Sequence, residues 1–195
     1  MALGTKVNGA WKTPSGVSVK VSGSWKKVQN IWVKVSGAWR PVWTAALTLR
    51  QGGIWGSNSY VSKQADHVEL YAYNPNTGGG DAAVVTNTLV DLTNVTYVDF
   101  DFALEGSIDS RSDAIFIASK EQMGDGSTFN ARTYQGLRVS RATKSLNVAG
   151  LSGYYYLRAH ASVNGDATYW KRVRLYRILL DGREIWNGSN SWTYI

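Results

Sequence analysis

Val21-Ser22-Gly23-Ser24-Trp25-Lys26 is one of three copies of a single pattern. The others are Val7-Asn8-Gly9-Ala10-Trp11-Lys12 and Val35-Ser36-Gly37-Ala38-Trp39-Arg40, so the tryptophans recur at a constant interval of 14 residues. Asn-Gly or Ser-Gly between two β-prone segments signals a two-residue hairpin, because that turn needs residues that tolerate positive φ. The period is too short for the common helical repeats and fits two short strands with two turns. The pattern therefore predicts a β-meander over residues 1–43. Its alternating strands read Val17-Ser18-Val19-Lys20-Val21 and Ile31-Trp32-Val33-Lys34-Val35, with returns over 24–28 and 38–42.

A two-residue turn pairs Val21 with Ser24 and Lys20 with Trp25. The next copy likewise pairs Val35 with Ala38 and Lys34 with Trp39. Directly opposed residues share a face, so each tryptophan sits beside a lysine while valines line the other face. Both faces are then partly apolar, and so thin a ribbon has little interior of its own. It is expected to dock on the rest of the chain, on sister chains or on another protein. Trp11, Trp25 and Trp39 carry two readings: a stacked ladder holding the repeats together, which repeat architecture favours, or direct contact with a ligand.

Composition extends the β assignment to the whole chain. The 195 residues include 20 Gly, 3 Pro, 9 Trp and 11 Tyr, and few windows show helical periodicity, so an all-β fold is expected. The absence of cysteine excludes a disulfide framework and any thiol-based site. Neither a signal-peptide core nor an apolar run of membrane-spanning length is present. A soluble product without membrane insertion, not exported by an ordinary signal, is expected. Charge is unevenly placed: residues 1–65 hold nine bases and no acid, and the remainder holds twelve bases and fourteen acids. A basic head either meets an acidic surface or protects its β-edges with lysine.

Residues 44–195 read as a series of short strands. They are Val68–Tyr73, Ala82–Thr88, Val95–Leu104, Ala114–Ser119, Gly136–Arg141, Leu146–Ala149, Tyr154–Val163, Trp170–Leu180 and Glu184–Trp186. Turn signals lie between them, among them Asn74-Pro75-Asn76, Gly78-Gly79-Gly80 and Asp181-Gly182. Such density predicts a jelly-roll-like two-sheet β-sandwich.

Few residues in this body point to catalysis. His67 and His160 stand apart in sequence, without a nucleophile motif or metal-ligand spacing around them. Asp99 and Asp101 share a strand face, an arrangement that serves acid/base chemistry at glycosidic bonds but more often forms a solvated face. Asp109, Asp113 and Asp125 lie in loops without the ordered ligand series of a calcium site. Gly78-Gly79-Gly80-Asp81 lacks the features of a phosphate loop and reads as a surface turn. Lys171-Arg172-Val173-Arg174-Leu175-Tyr176-Arg177 reads as a half-buried strand. Lys171, Val173, Leu175 and Arg177 fall on one face and Arg172, Arg174 and Tyr176 on the other, so nucleic acid is not an expected partner. Aromatics near turns or ends, namely Trp55, Tyr60, Tyr134, Trp170, Trp192 and Tyr194, are either sheet-end core or exposed rings able to stack on sugars. Of these, Trp55, Tyr134, Trp170 and Trp192 are the candidate glycan contacts. No cofactor, metal site or catalytic residue is assigned.

Tandem V-K-V-x-G-x-W-K hairpins resemble those of tail, fibre and other virion proteins of tailed bacteriophages, over about the first fifth of the chain. That resemblance implies a module, carried by Trp11, Trp25, Trp39, Lys20 and Lys34, that anchors to a particle or packs as a homotrimer. Its partners would then be other virion proteins, and its location the virion, assembled in the host cytoplasm. Val98-Asp99-Phe100-Asp101-Phe102, Leu151–Arg158 and Tyr176–Trp186 resemble strands of carbohydrate-binding-module and lectin-like jelly rolls, which implies contact with a host-surface glycan. The expected function is a non-enzymatic structural virion component, for host contact or capsid decoration. A free lectin-like carbohydrate-binding protein is the alternative, and a glycoside-active enzyme using Asp99 and Asp101 is a third reading.

Overall fold

A computed structural model describes residues 5–7, 10–12, 17–28, 30–35, 38–44, 47–75, 78–107, 113–122, 129–136, 138–165, 168–189 and 192–193. The chain divides into two units, Met1–Ala46 and Leu47–Ile195. The first consists of hairpins joining β1 (Thr5–Val7) to β2 (Ala10–Lys12), β3 (Ser18–Val21) to β4 (Ser24–Lys27), and β5 (Asn30–Val35) to β6 (Ala38–Thr44). Ser22 and Gly23 take φ of 50° and 83°, as a primed two-residue turn requires. The resulting register opposes Lys20 to Trp25 and Val21 to Ser24. Lys6 and Lys34 oppose Trp11 and Trp39 in the same way. The lysine–tryptophan pairing expected for Lys20–Trp25 and Lys34–Trp39 is thus present, and the first hairpin repeats it.

Each hairpin is its own two-stranded sheet. Lys20 and Lys34 are exposed, as are Val19, Val21 and Trp25 on the two faces of the middle hairpin. Trp25 is 72% exposed and is not buried in a stacked ladder. The side chains of Trp11 and Trp39 lie outside the described residues. Strand β6 ends at Thr44 and the first unit at Ala46.

The second unit is a jelly-roll-like β-sandwich. Sheet one contains β7 (Leu49–Trp55), β10 (Gly78–Thr86), β13 (Asp113–Ser119), β14 (Ala131–Gln135), β16 (Tyr154–Gly165) and β19 (Trp192–Thr193). Their order is β14-β13-β16-β10-β7-β19, with β11 (Val90–Asp91) also beside β16. Sheet two contains β8 (Tyr60–Lys63), β9 (Val68–Asn74), β12 (Tyr97–Gly106), β15 (Val139–Asn147) and β17 (Tyr169–Leu180), in the order β15-β12-β17-β9-β8. Strand β18 (Arg183–Asn187) pairs with the end of β17.

Alternation explains the core. Val68, Leu70 and Ala72 of β9, Val98, Phe100, Phe102 and Leu104 of β12, and Val173 and Leu175 of β17 turn inward from sheet two. Ala82, Val84, Phe116, Leu157, Ala159 and Ala161 meet them from sheet one. Phe116 stacks on Phe100 with ring centroids 4.6 Å apart and meets Phe102 edge-on at 4.9 Å. This aromatic triad joins the two sheets.

The structure also corrects several expectations. Leu49–Trp55, Tyr60–Lys63 and Ala131–Gln135 are additional strands. The segments expected at Gly136–Arg141 and Leu146–Ala149 largely belong to one strand, β15. Gly78-Gly79-Gly80 is the start of β10 rather than a surface turn, with Gly79 and Gly80 buried. Lys171 is fully buried and donates from Nζ to the Gly136 carbonyl at 3.0 Å. Arg177 does not share its face: Asp101 opposes Arg177 while Phe102 opposes Leu175, so Tyr176 is the extra residue of a bulge and parity flips beyond it.

That bulge aims Arg177 at Asp101. Arg177 Nε donates to Asp101 Oδ2 at 2.8 Å, and Arg141 donates from Nε and Nη2 at 3.0 and 2.9 Å. Asp101 is buried, in contrast to the solvated face expected for the Asp99/Asp101 pair, and Asp99 accepts from the Ser145 hydroxyl at 2.6 Å. Burial pushes the Asp101 carboxyl up, but the two arginines outweigh it and hold the pKa below the ordinary carboxylate value. A folded-state pKa below the unfolded one gives stability that is present above about pH 4 and lost as pH falls through the folded value. Asp101→Asn is expected to cost about 2 kcal/mol at neutral pH. In urea titrations repeated from about pH 6 to about pH 2, the variant should lose stability less steeply than the parent chain.

Candidate functional site

The outward face of sheet one is built in rows by the antiparallel register. One row runs Trp55–Asp81–Ser162 across β7, β10 and β16. The next runs Ala83–His160–Ile115–Tyr134 across β10, β16, β13 and β14. A third runs Arg50–Val85–Arg158–Ile117–Arg132 across all five strands from β7 to β14. Rows two residues apart are separated by roughly 7 Å, and neighbouring strands by about 4.8 Å.

Ala83, Val85 and Ile117 are buried although they lie outside the inter-sheet core. They form a low apolar floor, flanked in register by the long side chains of Arg50, Arg158, Arg132 and His160. Two exposed rings stand at opposite ends of this floor: Trp55 is 60% exposed and Tyr134 is 40% exposed. Four strand intervals separate their strands, about 19 Å.

Trp55 owes its pose to the glycines of β10. A Cβ on Gly79 would stand 2.7 Å from the indole, so only glycine lets the ring lie over that strand. The neighbouring Gly80 has another purpose, because its Cβ would collide with the Tyr73 carbonyl oxygen. At the other end, Arg132 packs between Phe129 and Tyr134, its guanidinium carbon 3.9 and 4.7 Å from the ring centroids.

Polar groups occupy the middle. His160 Nε2 stands 3.1 Å from Asp81 Oδ1. Burial would raise the Asp81 pKa, but His160 first, then the Ser162 hydroxyl and the Arg158 charge, draw it below the ordinary value. Asp81 Oδ1, His160 Nδ1 and Arg50 Nε are each buried without a hydrogen-bond partner among the described residues. Buried polar atoms in this condition are uncommon, and three of them on one face beside exposed rings are suited to receive the hydroxyls of a ligand.

The outward face of sheet two differs. Tyr60, Tyr71 and Tyr73 form a stacked series, with Tyr60 and Tyr71 centroids 5.0 Å apart, and Trp170 leans on Tyr71 at 6.1 Å. The arginines there face acids: Arg172 approaches Glu69 at 3.4 Å and Arg174 approaches Glu105 at 2.8 Å. This network, together with Asp101, is internally matched.

Trp55 and Tyr134 therefore share a face, and Trp170 lies half-buried on the other sheet. Trp192 is placed in β19 beside β7, and its side chain lies outside the described residues. The same is true of Tyr194, Asp109 and Asp125, and of the Asp113 side chain. His67 pairs with Asp66 at 2.7 Å, remote in register from His160. Asp81, Arg50, Arg132, Arg158 and Phe129 were not legible as site residues, although alternation of Arg158, His160 and Ser162 along Tyr154–Val163 was the available signal. Among the described residues no group of three His, Cys, Asp or Glu side chains is arranged to hold a metal ion. Among them too, no helix is long and apolar enough to cross a membrane.

No protein-family model and no curated protein matches the chain. Solved structures similar to it include a carbohydrate-binding module described for specific mannan recognition, at 11% identity and a TM-score of 0.37, covering 66% of this chain and 87% of that one. Another is a low affinity xylan binding module from the gut symbiont Roseburia intestinalis, at 12% identity and a TM-score of 0.35, covering 67% and 88%. Likeness this distant assigns no ligand, which has to be read from the residues of the face itself.

The two roles of the β10 glycines and Trp55 are separable by mutation. Trp55→Ala is expected to change the unfolding free energy by less than about 1 kcal/mol, as for an exposed side chain. Gly80→Ala should cost about 3 kcal/mol or more, because its Cβ collides with backbone. Urea unfolding of both variants measures the contrast.

Proposed function

We propose that residues 47–195 are a non-catalytic carbohydrate-binding domain, and that the hairpin repeats of residues 1–46 attach it to a larger assembly. The observation that carries the first part is the outward face of sheet one. There, exposed Trp55 and Tyr134 bracket an apolar floor and three buried polar atoms without hydrogen-bond partners among the described residues. Ring faces offer apolar contact to the C–H faces of sugars, while a few fixed polar groups select hydroxyls. A floor of Ala83, Val85 and Ile117 between the rings favours a linear chain lying across the strands. The Asp99/Asp101 pair does not support the glycosidase reading, because Asp101 is held by two arginines and Asp99 by Ser145.

The second part rests on the hairpins. Each presents a lysine opposite a tryptophan in identical register, and the middle one leaves apolar residues exposed on both faces. Isolated hairpins are marginal in water, so such an array favours a docked role. In the virion reading the assembly is a phage particle and the glycan belongs to the host surface. In the alternative the chain is a free lectin-like protein.

Affinity electrophoresis of the full chain through gels containing soluble neutral and acidic polysaccharides tests the binding domain. Retardation by at least one polysaccharide is expected, and Trp55→Ala or Tyr134→Ala should each weaken it about 30-fold, the scale of a central aromatic contact. Migration unaffected by every polysaccharide, at high protein concentration, would defeat the carbohydrate reading. Sedimentation of material from the native source tests the attachment. The virion reading expects co-migration with intact particles at a fixed ratio, and recovery only in light soluble fractions supports the free lectin.

A further inference from the structure

We infer that the Trp55 end of this face is a subsite for one neutral pyranose, stacked on the indole with ring hydroxyls bound by Asp81 and Asn164. The inference deepens, and rests on, the carbohydrate-binding function proposed above. The glycines of β10 set the geometry. Cβ atoms on Gly78 and Gly79 would stand 3.8 and 2.7 Å from the indole, so the ring lies against the bare start of that strand. Its other side is open to solvent. Gly79 is opposed by Asn164 of β16, and Asp81, two residues further along β10, is opposed by Ser162. Val163 belongs to the core, so Ser162 and Asn164 on either side of it project outward. Two residues of strand span about 7 Å, comparable with the width of a pyranose and its hydroxyls. A sugar seated on the indole therefore meets Asp81 and Ser162 at one edge and has Asn164 beside it.

The polar groups at that edge suit hydroxyl donors. His160 Nε2 stands 3.1 Å from Asp81 Oδ1, which is buried, while 31% of the Asp81 side chain is exposed. One oxygen is thus fixed from below, and Oδ2 is left on the ligand side. Burial would raise the Asp81 pKa, but His160, the Ser162 hydroxyl and the Arg158 charge outweigh it, so the group is a carboxylate at neutral pH. An ionised carboxylate only accepts, and its hydrogen bonds from hydroxyls are stronger than those between neutral groups. Exposed Asn164 both donates and accepts, so it takes a neighbouring hydroxyl in either sense. The carboxylate also sets the ligand class. An acidic sugar would bring a second anion against Asp81, in a row that the register continues to Asp113. A neutral sugar brings only hydroxyl dipoles.

The test is migration of the full chain through gels containing galactomannan, arabinoxylan or mixed-linkage β-glucan, each also after O-methylation, and through polygalacturonate and hyaluronan gels. At least one neutral polysaccharide should retard the chain equally at low and high salt, and its methylated form should not, because an ether cannot donate to a carboxylate. Asp81→Asn should weaken that retardation about tenfold and Asn164→Ala about fivefold, the scales of a charged and a neutral hydrogen bond. Asn164 is exposed, so its variant keeps the test readable should Asp81→Asn fold poorly. Neutral binding unchanged in both variants, or retained after methylation, would overturn the subsite and leave the carbohydrate-binding function standing. Retardation by the acidic polysaccharides alone, if lost in Trp55→Ala, would do the same. Attraction of polyanions indifferent to Trp55→Ala and Tyr134→Ala belongs to the basic residues 1–46 and counts as no binding at this face. Absence of any retardation dependent on Trp55 or Tyr134 would remove both the inference and the function beneath it.

Discussion

Phe116 standing between Phe100 and Phe102 is the contact on which the rest of the body depends. It joins β13 of one sheet to β12 of the other, and the aliphatic residues of β9, β16 and β17 fill the layer around it. With those three rings inward, alternation sets which residues of β12 and β13 face out. The row of His160 and Tyr134 thus follows from the core, while Trp55 and Arg50, five residues apart, share the outward face through a register shift in β7 opposite Ala82 and Val84. A one-residue slip of β13 would turn Ile115 and Ile117 toward the other sheet and Phe116 outward, dismantling the core and the outward face together.

Two local departures from regularity then give the outward faces their different characters. On sheet two, the bulge at Tyr176 turns Arg177 away from the core side and toward Asp101, closing an ion network that matches its arginines with acids. On sheet one, the start of β10 is bare of side chains at Gly78, Gly79 and Gly80, which admits the Trp55 indole above and the Tyr73 backbone below. One face is therefore neutralised and packed by its own residues. The other keeps an open floor, exposed rings and polar atoms without partners in the described chain. The difference follows from where one residue was inserted and where three side chains were omitted.

These same departures mark the limit of what was legible from residue order. Hairpin register at Ser22-Gly23 was readable because turn chemistry is local and positive φ restricts the choice of residue. Strands Val68–Asn74 and Tyr154–Gly165 were readable from alternation. Strand β7 was not, because Gly52 and Gly53 interrupt its pattern, and the Gly78–Gly80 run looked like a turn when it is a strand chosen for its lack of side chains. Arg177 was assigned to the wrong face because a bulge is a property of the pair of strands, not of either one. Trp55 and Tyr134 were legible as aromatics near strand ends. Their meeting on one face, with Trp170 on the other, depended on cross-strand partners far away in sequence.

The distribution of charge separates the two units in kind. Residues 1–46 hold seven bases and no acid, so their attraction for an acidic surface is general and should act at a distance. Residues 47–195 hold fourteen bases and fourteen acids, so the body as a whole exerts little net pull. Register gathers Arg50, Arg158 and Arg132 on the outward face of sheet one, and the same face carries Asp81 and Asp113 on the neighbouring strands. With charges of both signs so interleaved, the field of the body is short-ranged, and salt screening at the Debye length of about 8 Å leaves only closely apposed charges effective. Whatever the body recognises is therefore read at contact range, by shape and local polar groups, which an overall excess of lysine on the first unit does not provide.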